Sequence, residues 1–118
     1  MANPFVHVEL MSTDVDKAKS FYGKLFDWTL EDMPMPDMTY TMIRVGEGTG
    51  GGLMKNPIPG APSMWVPYVV VDDLEDATAK ATSLGATLMK PATEVPGAGR
   101  FTLITDPAGA MLGLWQQV

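Results

Sequence analysis

The 118-residue chain carries 46% apolar residues and a formal net charge of -6, which gives one globular core enough material and rules out a disordered segment. Its eight Lys and Arg are scattered rather than striped along one face, arguing against a nucleic-acid partner, and no apolar run approaches the roughly 20 residues of a membrane span. The absence of cysteine excludes disulfides, thiolate ligands and a cysteine nucleophile; without a basic-then-apolar start over 1–5, a cytoplasmic chain is expected.

The chain repeats itself. Asp14, Val15, Ala18, Tyr22 and Leu25 recur 59 residues on as Asp73, Leu74, Ala77, Ala81 and Leu84. Two halves of about 55 residues are each near the lower limit for independent folding, so they are read as modules of one domain.

In chain order, residues 5–11 alternate, with Val6, Val8 and Leu10 on one face and Phe5, His7, Glu9 and Met11 on the other, the period of a strand. Thr13 ahead of Asp16, and Asp72 ahead of Glu75, approach the capping-box pattern and predict a helix after each opening strand. The spacing of the repeated apolar residues puts each set on one helical stripe facing a sheet. Strands are predicted at 28–33 and 39–45, separated by the turn-forming Pro34-Met35-Pro36-Asp37, and at 50–54. A connector at 55–63, with Pro57, Pro59, Gly60 and Pro62, divides module one (4–54) from module two (64–118). Strands at 65–71, 86–91, 100–105 and 110–116 around a helix at 73–84 complete the second module. The fold class is therefore α+β: two tandem βαβββ modules forming a curved mixed sheet with helices outside.

Such a pair leaves a concave face where inward side chains meet. Alternation assigns His7 and Glu9, Val66, Tyr68 and Val70, and Met111, Gly113 and Trp115 to it, and sends Val69, Val71, Leu112 and Leu114 toward the helices.

With His7-Val8-Glu9-Leu10, Asp14, Phe21-Tyr22, Leu25-Phe26-Asp27-Trp28 and Asp106-Pro107-Ala108-Gly109, this duplicated module resembles the vicinal oxygen chelate superfamily of glyoxalase I, bleomycin-resistance proteins and extradiol dioxygenases. His-Val-Glu-Leu-Met, Gly-Gly-Gly-Leu-Met and Gly-Arg-Phe-Thr resemble the glyoxalase-like subgroup described as hydroxylase-type or Cfp30B-like. The resemblance implies a metal held by His or Glu on the first and last strands of each module. Here His7 is matched by Val66, and Gly52 and Gly113 stand where glutamates are expected. One histidine does not make a site that generally wants three protein ligands, so no metal and no cofactor are expected. Glycine at both positions is expected to enlarge or flatten the cavity, with Trp28, Tyr68, Phe101 and Trp115 lining an apolar pocket.

Several residues carry competing readings. His7 is a pocket base or a remnant satisfying one hydrogen bond, and the remnant is preferred. Glu9, two residues on and on the same face, either pairs with His7 as an acid/base or ligand anchor, or makes a salt bridge to Arg44 or Arg100. The methionines at 33, 35, 38, 42, 54, 64, 89 and 111 read as core filling ahead of a promiscuous pocket. Gly50-Gly51-Gly52 and Gly97-Ala98-Gly99 read as turns or strand glycines ahead of phosphate loops, and the clusters Asp14/Asp16 and Asp72/Asp73/Glu75/Asp76 as helix starts ahead of calcium sites.

The leading expectation is a metal-free, glyoxalase-like homodimer binding a small apolar organic molecule between its modules or at the dimer interface. Catalysis is left open. A metal-dependent lyase, isomerase or dioxygenase with non-standard ligands, and a non-catalytic structural or regulatory module, are the alternatives.

Overall fold

Each helix is set by an aspartate at its start. In the computed structural model, which describes residues 3–36 and 38–118, the Asp14 carboxylate accepts the Lys17 N–H at 3.0 Å and opens α1, Val15–Leu25. The Asp73 carboxylate accepts the Asp76 N–H at 3.0 Å and opens α2, Leu74–Ser83. Both caps lie one residue later than the capping-box spacing predicts, each aspartate accepting the third helical N–H. Thr13 instead donates its backbone N–H to the Ser63 hydroxyl at 2.9 Å. Acids in each first turn (Asp16; Glu75, Asp76) and a lysine in each last turn (Lys24; Lys80) complement the helix dipoles. Gly85, at φ 105°, ends α2 and lets the Ala86 N–H reach back to the Ala81 carbonyl at 3.0 Å.

Module one contains β1 (Phe5–Ser12), β2 (Thr29–Met35), β3 (Met38–Arg44) and β4 (Gly51–Lys55), in the spatial order β2-β3-β4-β1. Strands β1 and β4 run parallel; the other pairs are antiparallel. Module two contains β5 (Met64–Val70), β6 (Thr87–Val95), β7 (Gly99–Thr105) and β8 (Met111–Gln117), in the order β6-β7-β8-β5, with β5 and β8 parallel. The fold class is α+β, two tandem βαβββ modules, each a mixed sheet with its helix packed on one face.

Two strands outrun their predicted ends by more than one residue. β2 passes through Pro34 to Met35, so the expected four-residue turn contracts, and its Asp37 lies outside the described residues. β6 passes Pro91 to Val95, with register shifts between Leu88 and Lys90 and between Lys90 and Thr93. Each lies at the outer edge of its module's sheet, where a proline's missing N–H costs no ladder bond and a bulge absorbs the irregularity.

The described residues divide into two compact units, His7–Val66 and Pro67–Val118, the second also including residues 3–6. Asn3 and Pro4 account for that inclusion: Asn3 Nδ2 donates to the Val70 carbonyl at 2.8 Å and Pro4 O accepts the Val70 N–H at 3.1 Å. The connector is tied to module one, since Asn56 N–H donates to Ser12 O at 2.9 Å and Asn56 Nδ2 to Pro62 O at 2.9 Å.

The repeated stripes face the sheets through Val15, Ala18 and Tyr22 and through Leu74, Ala77 and Ala81, whereas the last residue of each, Leu25 and Leu84, lies at the helix end and is exposed. Leu10, Ile43 and Leu53 are buried with Val15, Ala18, Tyr22 and Trp28 around them; Leu74, Ile104 and Leu114 are buried with Val71, Ala77, Ala81 and Leu112. Each fully buried Leu contributes about 1.5–3 kcal/mol of transfer free energy. With the even positions of β1 committed to α1, pleating sends His7, Glu9 and Met11 to the other face. No helix among the described residues is long and apolar enough to cross a membrane.

Candidate functional site

Three side chains of module one converge on that second face. Glu9 on β1 is 3% exposed. His7, two residues before it, brings Nε2 to 3.2 Å from Glu9 Oε1, and Tyr40 on β3 donates its hydroxyl to the same Oε1 at 2.8 Å. His7 Nε2 and the Tyr40 hydroxyl are themselves 2.8 Å apart. The single Tyr40 proton goes to Glu9, so His7 Nε2 carries a hydrogen and donates toward the phenol oxygen and Oε1. Arg44 and Arg100 do not reach Glu9: Arg44 pairs with Glu31 at 2.6 Å and Arg100 with Glu75 at 2.5 Å. The anticipated His7–Glu9 pair therefore forms, with a third member that alternation in β1 alone does not reveal.

Gly52 explains why Tyr40 fits. It lies opposite Glu9 in the β1–β4 ladder and opposite Met42 in the β3–β4 ladder. A Cβ there would stand 1.6 Å from the Tyr40 hydroxyl oxygen and 2.7 Å from Glu9 Oε2. Of the two expected effects, enlarging or flattening the cavity, enlargement does not occur at Gly52, where the phenol of Tyr40 occupies the place of the missing side chain. Glu9 Oε2 is buried and has no hydrogen-bond partner among the described residues. An unmet buried acceptor costs about 1–3 kcal/mol.

Module two holds the same geometry with different chemistry. Tyr68 lies opposite Gly113 as Glu9 lies opposite Gly52, and Leu103 opposite Gly113 as Met42 opposite Gly52. The counterparts of His7, Glu9, Tyr40 and Gly52 are thus Val66, Tyr68, Phe101 and Gly113. Val66 is fully buried, Tyr68 and Phe101 meet edge to face at 5.6 Å, and a Cβ on Gly113 would lie 2.5 Å from the Tyr68 ring. Trp115, opposite Phe101, covers Gly99 in the same way, its ring 2.7 Å from a Cβ there. Met111 pairs with Thr105 at the start of β8.

Of the anticipated lining residues, Trp28 is misplaced. It packs on the α1 side against the Leu10 cluster and stacks among Tyr22 at 5.9 Å, Phe26 at 4.7 Å and Trp65 at 6.3 Å. An open groove of about 520 Å³ lined by Lys17, Ser20, Phe21, Lys24 and Leu25 also lies on α1, away from the His7 face. The glycine runs resolve as expected: Gly51 and Gly52 are strand residues, and Gly97, at φ 77°, sits in the turn before β7. Asp106-Pro107-Ala108-Gly109 is the β7–β8 turn, in which Asp106 Oδ1 accepts the N–H groups of Ala108 at 2.8 Å and Ala110 at 3.0 Å.

Residues 5–114 match the family model of the Glyoxalase/Bleomycin resistance protein/Dioxygenase superfamily. The chain belongs to this superfamily. It is similar, at 38% identity over 115 residues, to the Mycobacterium tuberculosis protein named "Putative glyoxylase CFP32", covering 92% of this chain and 44% of that protein. It thus spans under half the length of the curated relatives it matches. In fold it is similar to hypothetical protein BH1468 from Bacillus halodurans, with TM-score 0.74 and 12% identity over 100% of this chain and 96% of that one. It is also similar in fold to methylmalonyl-CoA epimerase from M. tuberculosis, with TM-score 0.67 and 19% identity over 97% and 87% of the two chains.

The superfamily resemblance implies a divalent metal, and the donor set does not fit one. Of the four ligand positions only His7 retains a nitrogen or oxygen donor. Glu9 Oε1 and His7 Nε2 are spent on each other and on Tyr40. No group of three or more His, Cys, Asp or Glu suited to a metal occurs among the described residues. A glutamate at 52 would have to displace the Tyr40 phenol.

Proposed function

We propose that this glyoxalase-like chain is a metal-independent binder of a small organic molecule, largely apolar with one polar group, anchored at Glu9 within the His7–Glu9–Tyr40 cluster. The observation that carries the reading is the buried Glu9 carboxylate with one oxygen satisfied by two donors and the other by none. A carboxylate that served only to tie strands together would gain by satisfying both oxygens or by being replaced with an apolar residue. Methionines Met11 and Met54, buried beyond it on the same face, supply an adaptable apolar floor. Formation of a homodimer belongs to the same proposal.

Backbone NMR during titration with small aromatic molecules tests it: shifts are expected to concentrate at residues 7–11, 40–42 and 51–54. Shifts confined to the outer face of α1 would refute it. Sedimentation velocity reports the dimer. Titration with zinc, nickel or manganese against a competing chelator should give no tight site, and one tight equivalent per chain would overturn metal independence.

A structural role has its own observation in module two, where Tyr68 and Trp115 fill the places left by Gly113 and Gly99. Tyr68→Ala distinguishes the two readings: lost stability with unchanged ligand affinity assigns module two to packing.

A further inference from the structure

We infer that the module-one anchor selects a ligand presenting a hydrogen-bond donor, an N–H or O–H, to Glu9 Oε2, and that the Tyr40 phenol yields its place over Gly52 to admit it. This rests on the small-molecule reading above and adds the ligand's polarity. Two donors, the Tyr40 hydroxyl and His7 Nε2–H, already converge on Oε1, which marks Glu9 as an acceptor; Oε2 is buried without a hydrogen-bond partner among the described residues. Both Oε2 and the Tyr40 oxygen border the notch left by the absent Gly52 side chain, at 2.7 and 1.6 Å from where a Cβ would sit. The phenol is therefore the side chain whose movement uncovers Oε2. Tyr40 is half-buried and its neighbour His7 keeps 25% of its side chain exposed, which gives the ring an open side toward which to move. A hydroxyl and an ammonium share this chemistry; a carbonyl does not.

The duplication sharpens the assignment. The equivalent positions of module two offer Val66, Tyr68 and Phe101, none with a carboxylate, so the donor-selecting function belongs to module one alone.

Four probes on one skeleton test the inference: 1-phenylethanol, 1-phenylethylamine, acetophenone and ethylbenzene, titrated into the full chain by calorimetry or NMR. A hydrogen bond to a charged acceptor corresponds to about 10- to 150-fold in affinity. The alcohol and amine are thus expected to bind at least about 10-fold tighter than acetophenone or ethylbenzene, and the amine-to-alcohol ratio separates cationic from neutral donors. In Glu9→Gln the amide oxygen takes the Oε1 position to keep the Tyr40 and His7 bonds, which turns the –NH₂ into the notch. The order should then invert in favour of acetophenone. Tyr40→Phe keeps the ring but removes the bond that holds it, so both donors should bind several-fold tighter with their rank over acetophenone kept; this arm stands if Glu9→Gln fails to fold. Equal affinities for all four probes, or acetophenone leading in the wild type, overturn donor selection while leaving small-molecule binding intact. No binding by any probe at millimolar concentration overturns both.

Discussion

The packing of Tyr40 over Gly52 makes Gly52→Ala a demanding test of the site geometry. The added methyl would lie 1.6 Å from the Tyr40 oxygen and 2.2 Å from Cζ, so the ring must swing away rather than shift by a few tenths of an ångström. Swinging away breaks the 2.8 Å bonds to Glu9 and His7. Losing a hydrogen bond to a charged group costs about 1.5–3 kcal/mol, and repacking around an inserted methyl adds about 1–3 kcal/mol. Because the ring relaxes toward its half-exposed side, a loss of about 2–4 kcal/mol is expected, read as the change in unfolding free energy from urea titration at neutral pH. The cause is identified by suppression. Tyr40→Ala removes the two closest of the three clashing atoms, leaving Glu9 Oε2 at 2.7 Å to shift, so Gly52→Ala should cost markedly less in that background, whereas Tyr40→Phe retains Cζ and should rescue poorly. Gly51→Ala supplies the contrast, since its Cβ meets the Val8 carbonyl at 2.1 Å, a backbone atom that no side-chain deletion relieves. A Gly52→Ala protein within about 0.5 kcal/mol of wild type, or a loss that Tyr40→Ala leaves unchanged, would refute the reasoning.

Other expectations concern the frame around the site. Asp14→Ala and Asp73→Ala should each cost about 1 kcal/mol in urea titration, while Thr13→Ala and Asp72→Ala cost less, because the aspartates at 14 and 73 hold the helix N–H groups. Leu74→Ala, at a fully buried position, should cost about 2–5 kcal/mol, against under 1 kcal/mol for the exposed Leu84→Ala. Asp32 accepts from Lys19 Nζ at 2.9 Å and from the Thr41 hydroxyl at 2.8 Å, bonds that hold its carboxyl below the usual 3.8. A depressed folded value means that its stabilisation is present above the unfolded pKa and is lost as pH falls through the folded one. Asp32→Asn should therefore lower the melting temperature at pH 7 and converge with wild type in the acid range below the usual carboxylate value. A constant gap from pH 7 to pH 2 would contradict that account.

The helices and the stripes they pack on the sheets are legible in the sequence because a 3.6-residue period leaves a pattern within a dozen residues, and the duplication prints it twice. The His7–Glu9 pair was legible for the same reason, with period 2 in one strand. Tyr40 was not, because its relation to Glu9 is set by the register of β3 on β4 and of β4 on β1, which no local pattern encodes. A signal was present nonetheless: a glycine in a strand, flanked in the fold by a tyrosine on the next strand, is a common way to seat an aromatic ring. Trp28 was assigned to the wrong face because it precedes β2 and escapes that strand's alternation. Pro34 reads as a turn residue and Pro91 as a strand end, since edge position, the property that tolerates them within a strand, is a feature of the whole sheet.

Duplication gives the two modules the same ladder geometry and then lets the side chains diverge at fixed points. At the four equivalent positions, module one keeps an imidazole, a carboxylate and a phenol around a glycine, and module two keeps a valine and two aromatic rings around another. The glycines agree while their surroundings do not. In both modules a ring occupies the volume of the absent side chain, so a longer side chain at Gly52 or Gly113 would have to displace it. In module two the ring is hydrocarbon at the point of contact and stabilises by packing. In module one it arrives with a hydroxyl, which obliges the neighbouring carboxylate to share one oxygen and leaves the other unmet. The same steric event yields a core in one half and an incompletely satisfied polar centre in the other. That asymmetry is the physical reason to look for the ligand at Glu9 and not at its counterpart, Tyr68.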